Sequence, residues 1–254
     1  MKININADLS EGFGAYDIGA DSQLLDIVAS ANVACGMHGG DPGIMRETLM
    51  IAAERGVSVG AHPGFNDLWG FGRRQIDMKP DDLEYLVAYQ IGAIMGMANY
   101  AGIAVTHVKA HGALNNMACV RSDYAEAIAT AIKTVDDTLI SLVMPGTELE
   151  KASQKYGLTI GREAFIDRTY EDDWTLTPRK LAGSVIKDPD LAARRAVEMV
   201  TNGGIQARSG EVLPIEFDSL CVHGDEPTSV AVAKACYDAL TGAGVEIVPL
   251  PELV

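Results

Sequence analysis

Short apolar runs alternate along the chain with longer amphipathic stretches. Residues 3–7, 31–35, 57–61, 104–109, 139–144, 158–161 (extending to 165) and 218–222 read as strands, and 245–248 as a further one. Between them, Met45, Leu49 and Ala52 fall on one helical face, opened by an Asp41-Pro42 cap and closed by Gly56. More helices are predicted after Pro80, over residues 123–133, on a face marked by Ala193, Val197 and Val200, and on one marked by Val230, Ala233, Cys236, Tyr237 and Leu240. Strands alternating with helices predict a parallel sheet, either closed as a barrel or open and doubly wound. No linker or low-complexity stretch interrupts the pattern, so a single domain over residues 1–254 is expected.

Polar residues keep phase with the strands. Ile3, Ile5 and Ala7 share one face, while Asn4, Asn6 and Asp8 share the other. Asn32, Ala34 and Gly36 are in phase with His38 just beyond; so are Ser58, Gly60 and His62, and Ser219, Cys221 and His223. The stretch "VTHVKAHGALNN" puts His107, Lys109 and His111 at alternate positions. Each series culminates at or just past the C-terminal end of its strand, where α/β enzymes build their sites. Asp8, His38, His62, Lys109, His111 and His223 are therefore the candidate site residues. His107 lies deeper and reads as structural. Lys109 needs a carboxylate nearby, and Asp8 is the natural one; a purely structural ion pair is a fair alternative account of those two.

The chain has 254 residues, 48% of them hydrophobic, which is ample for a core. A net charge of −15 and a pI near 4.6 argue against nucleic acid or an anionic membrane as partner. No apolar run approaches the roughly 20 residues that cross a bilayer, and no leader is evident. Cys35, Cys119, Cys221 and Cys236 are scattered without metal or redox spacing, which predicts reduced cysteines in a cytoplasmic protein. Long loops are expected at 8–19, 62–79 and 167–187, each after a strand.

Weaker signals remain. "GFGRR" sets Arg73 and Arg74 in a flexible loop, which suits a carboxylate or phosphate. "EAFIDR" places Glu163, Asp167 and Arg168 at another strand end, with an internal salt bridge the simplest reading of any two. "HGGD" and "HGD" put Asp41 and Asp225 after a histidine; capping explains both, and orienting the imidazole is a second role. No P-loop, dinucleotide fingerprint, zincin or nucleophile-elbow motif occurs.

Six blocks in order, "NADLSEGFG", "ANVACGMHGGDP", "GAHPGFNDLWGFGRR", "VKAHGALNN", "EAFIDRTYEDD" and "DSLCVHGDEP", closely resemble the LamB/YcsF family from Asn6 to about Leu240. The resemblance implies an irregular (β/α) barrel of about seven mainly parallel strands, related to the carbohydrate deacetylase group. It also implies the ATP-dependent 5-oxoprolinase reaction: hydrolysis of 5-oxo-L-proline to L-glutamate, with ATP as co-substrate and two partner subunits, B and C. Ser10 stands where the family pattern has Gly, Ala110 where it has Pro and Asn115 where it has Tyr, which bears on substrate preference. In such a site Lys109 would face the developing negative oxygen. His62 or His111, with Asp8, would supply the base, and Arg73 and Arg74 the carboxylate anchor. His38, Asp41, Glu163, Arg168 and His223 complete the expected substrate shell. Two rivals differ in kind. One is a metal-dependent hydrolase whose divalent ion is held by Asp8, His38 and His62, as in deacetylase relatives with one Asp and two His ligands. The other is a non-catalytic subunit that presents the lactam to its partners.

Overall fold

Seven parallel strands close into a barrel in the computed structural model, which describes residues 1–16, 18–223 and 227–254. In chain order the strands are β1 (Lys2–Leu9), β2 (Ser30–Ala34), β3 (Ser58–His62), β4 (Val105–Val108), β5 (Ile140–Val143), β6 (Ile160–Phe165), β7 (Gly204–Gln206), β8 (Val212–Pro214), β9 (Ser219–His223) and β10 (Glu246–Ile247). The helices are α1 (Asp21–Leu25), α2 (Pro42–Arg55), α3 (Pro80–Ala101), α4 (Gly112–Ala118), α5 (Ser122–Val135), α6 (Glu148–Lys155), α7 (Pro189–Asn202) and α8 (Ser229–Gly242). The ring runs β1-β2-β3-β4-β5-β6-β9, and β9 pairs back onto β1, with Asp8 opposite His223. Closure decides between the two topologies that alternation alone left open. The expected eighth strand is only β10, which pairs with Lys2 and Ile3 at the foot of β1 and is no stave of the barrel. β7 and β8 form a separate antiparallel hairpin.

Local chemistry sets the helix ends. Asp41 accepts from the Gly43 and Ile44 amides before α2, Pro42 occupies its first turn, and Gly56 ends it at φ 69°. Asp188 and Pro189 repeat the arrangement at the start of α7. The buried stripe of α7 is Ala192, Ala196, Met199 and Val200; the expected markers Ala193 and Val197 lie half-buried at its edge, so that face is rotated by about one residue. Helices cover the outer face of the barrel, where Ile3, Ile5 and Ala7 are buried with Leu49, Ile91 and Ile128 in one core.

The inner face is polar, and its groups satisfy one another. Ser219 Oγ donates to Asn4 Oδ1 (2.6 Å), Asn6 Nδ2 to Ser219 Oγ (2.7 Å), and Asn4 Nδ2 to Ser30 Oγ (2.8 Å). Asn32 Nδ2 reaches Asn6 Oδ1 and Asp8 Oδ1 at 2.7 and 2.9 Å. His107 Nε2 meets Asn32 Oδ1 at 3.0 Å, and a Cβ on Gly60 would sit 2.2 Å from its ring, so only glycine leaves it room. Such a lining is stable only because its donors and acceptors are matched. At the N-terminal end, Leu250 from the last turn packs on Ile140 and Leu142 and closes the barrel.

Candidate active site

A cavity of about 980 Å³ opens at the C-terminal ends of the strands. Asp8, His62, Lys109, His111 and His223 line it, together with Arg73 and Arg168. The loop after β6 closes one side with Trp174 and Arg179, two residues that strand phase could not mark. Glu163 lies beneath, against Lys109. His38 lies behind the wall, against Glu11. Two expected residues are elsewhere. Asp41 caps α2 and accepts from the Gly14 amide, and Arg74 pairs with Asp67 through a side chain that is largely solvent-exposed. Asp225 lies outside the described residues.

Lys109 is fully engaged. Its ammonium donates to Asp8 Oδ1 (2.9 Å) and Cys221 Sγ (3.0 Å), and lies 2.8 Å from Glu163 Oε2. Burial pushes Asp8 up, but His62 and Lys109 outweigh it and hold the carboxyl well below its usual range. Glu163 is the reverse case: burial raises its pKa, and Lys109 only partly offsets that. One ammonium between two buried carboxylates is thus met chiefly by Asp8.

A second arrangement lies beside the Phe165 ring. Lys109 Nζ stands 5.3 Å from the ring centroid, and the His223 imidazole stacks on the ring at 5.4 Å. His223 Nδ1 faces both oxygens of Asp167, at 3.0 and 2.9 Å, and its backbone N–H donates to the same carboxylate at 3.1 Å. A carboxylate can only accept, so Nδ1 carries the proton and Nε2 is the basic atom. Burial raises Asp167, but His223 more than compensates and its pKa is lowered. The internal salt bridge expected between some two of Glu163, Asp167 and Arg168 is not how Arg168 is held: it donates to the carbonyls of Thr177 and Ser184 and so ties down the long loop. Burial, then the charge of Arg179, lowers Arg168 to about 10, with Arg73 adding to the repulsion. Three guanidinium groups on one wall suit an anion.

His62, His111 and His38 converge on a carboxylate that the strand pattern did not mark, Glu11. Its Oε1 lies 3.0 Å from His38 Nε2, 3.2 Å from His111 Nδ1 and 4.0 Å from His62 Nε2. These four side chains, all buried, bring one donor atom each within 4.8 Å of one another and could hold a metal ion. Asp8, expected in that role, lies outside the group: its Oδ1 accepts from Lys109 and Asn32, while its Oδ2 stands 3.4 Å from His62 Nε2. Glycine permits the crowding: a Cβ on Gly72 (φ 62°) would come within 2.7 Å of both His111 and His38.

Fold and site together define a closed (β/α) barrel protein with a polar, histidine-rich pocket at the strand ends. The LamB/YcsF family model matches residues 3–254, and the chain belongs to that family. It is 47% identical over 247 residues, 97% of each chain, to a protein of Heliobacterium modesticaldum named as the A subunit of 5-oxoprolinase. A solved structure from Thermus thermophilus, described as a lactam utilization protein, superposes with a TM-score of 0.94 at 44% identity, covering 98% of this chain and 99% of that one. The catalytic domain of a peptidoglycan N-acetylglucosamine deacetylase from Eubacterium rectale superposes with a TM-score of 0.51 at 12% identity, covering 97% of this chain and 88% of that one, a likeness of fold alone.

Proposed function

We propose that the chain is the A subunit of an ATP-dependent 5-oxoprolinase, with 5-oxo-L-proline held at the barrel mouth while its amide C–N bond is hydrolysed to L-glutamate. The names carried by its relatives support the reaction. The observation that carries the site assignment is the His223–Asp167 pair, an oriented imidazole opening into a cavity walled by arginines.

A five-membered lactam is an unstrained amide, so its opening near neutral pH needs coupling to ATP. Phosphorylation of the lactam oxygen makes the attached carbon one that water attacks readily. His223 Nε2 takes the water proton as the C–O bond forms, while Asp167 keeps Nδ1–H in place and stabilises the imidazolium. The proton then passes to the ring nitrogen as the C–N bond breaks. This leaves a γ-glutamyl phosphate, which a second water converts to glutamate and phosphate. Arg73 and Arg179 hold the substrate carboxylate and balance the phosphoryl charge. With its ammonium already engaged, Lys109 acts by fixing Asp8 beside His62.

In this reading ATP is handled together with subunits B and C, because the chain carries no recognisable nucleotide motif. All four cysteines are free, which supports a reducing, cytoplasmic setting. The test follows ADP and glutamate separately. The chain alone is expected to yield neither, and the chain with both partners to yield both. Robust coupled turnover by the purified chain alone would overturn the assembly.

A further inference from the structure

We infer that Glu11 Oε1, His62 Nε2 and His111 Nδ1 form an inner-sphere site for one divalent first-row transition-metal ion, with His38 as the outer partner of Glu11. The tautomers carry the argument. His62 Nδ1 lies 2.7 Å from the Lys109 carbonyl and His111 Nε2 lies 2.8 Å from the Phe71 carbonyl. A carbonyl only accepts, so those nitrogens hold the ring protons. The neutral rings are left with lone pairs at His62 Nε2 and His111 Nδ1, which face each other at 3.0 Å. Two lone pairs at that distance repel. In the metal-free chain a proton on His62 Nε2, which also faces Asp8 Oδ2 at 3.4 Å, relieves this, and a divalent ion takes that proton's place. Tying the far ring nitrogen to a backbone carbonyl is also how metal-bound histidines are oriented.

The spacing fits an ion. Metal–nitrogen and metal–oxygen bonds of about 2.0–2.2 Å imply tetrahedral donor–donor edges of roughly 3.3–3.6 Å. The observed edges of 3.0, 3.2 and 4.0 Å bracket that range. Two imidazoles and one carboxylate favour a zinc-like ion over magnesium or calcium.

His38 is assigned differently because its Nδ1 is buried with no hydrogen-bond partner among the described residues. Were Nε2 a ligand, an N–H would be orphaned there. With Nε2–H donated to Glu11, only a lone pair is left, the cheaper deficit. His38 also stacks flat on His111, with centroids 3.6 Å apart. His62 and His111 line the cavity whereas Glu11 and His38 do not, so the open side of the ion would face the substrate space.

The site stands independently of the lactam reading, and its test needs no turnover. Metal-free wild-type chain titrated with Co²⁺ or Zn²⁺ should bind one ion. Ring-nitrogen NMR of the same wild-type protein should show coordination at His62 Nε2 and His111 Nδ1 but not at His38. Glu11→Gln and His62→Gln, checked for folding by circular dichroism, should lose saturable binding. His38→Gln should keep one-to-one binding weakened about 10–100-fold. No saturable binding by the folded wild-type chain, or unchanged affinity in Glu11→Gln, would overturn the site. Coordination shifts at His38 would overturn its outer role.

Discussion

Ser10 has φ 64°, in the left-handed region that L side chains avoid, and its buried hydroxyl meets no hydrogen-bond partner among the described residues. The strain costs about 1–3 kcal/mol, and glycine, which the family pattern places here, removes it at a smaller entropic cost. Ser10→Gly should therefore stabilise the protein by about 1 kcal/mol in denaturant unfolding; a loss of stability would contradict the strain argument. Lys109 calls for a paired test. Lys109→Met leaves buried Asp8 without its cation and should cost about 3–5 kcal/mol. Glu163, whose burial already favours the neutral acid, should tolerate Gln within about 1 kcal/mol. Equal destabilisation by both substitutions would show that Glu163, too, is held as a full charge. The polar face holding these residues was legible because Asp8 sits on β1 and Lys109 one residue past β4, where strand phase still points them inward. Glu11 and Arg179 were not, because each comes from a loop where period-two phase no longer applies.

Among the elements, β3 and β4 fit together by exchanging a side chain for space: His107 fills the notch left by Gly60. Burial, with Lys109 and then His62 adding repulsion, lowers His107 to about 3, and its nearest partners, Asn32 and Thr106, are uncharged. Below the unfolded value near 6.5 the unfolded chain takes up a proton that the folded chain refuses. Stability from this group is complete above about pH 6.5 and falls as pH drops toward 3. By about pH 5 the loss is about 2 kcal/mol. Melting profiles of wild type and His107→Gln from about pH 7 to about pH 5 should show a shallower fall in the variant; parallel profiles would refute the assignment. The seven barrel strands and the five long helices were legible from apolar spacing, whereas β7 and β8, three residues each, were too short to show a period. The short helices α1, α4 and α6 were not, since so few turns give periodicity little to repeat. Apolar spacing alone did not show closure of the ring, because β1–β9 pairing joins residues some 215 positions apart; the family resemblance did imply a barrel.

For the whole molecule, the proposed lactam opening lies at one end of the barrel, and the proposed dependence on ATP belongs to an assembly. No helix among the described residues is long and apolar enough to cross a membrane. The most direct measurement is glutamate release from 5-oxo-L-proline and ATP by subunits B and C combined with wild-type chain, with His223→Asn chain, and with no chain. His223→Asn should fold and assemble normally, yet release glutamate about 10²–10⁴-fold more slowly than wild type, the usual range for a lost general base. Without the chain, release should be absent. Undiminished release by the His223→Asn assembly, or release by the partners alone, would contradict the account.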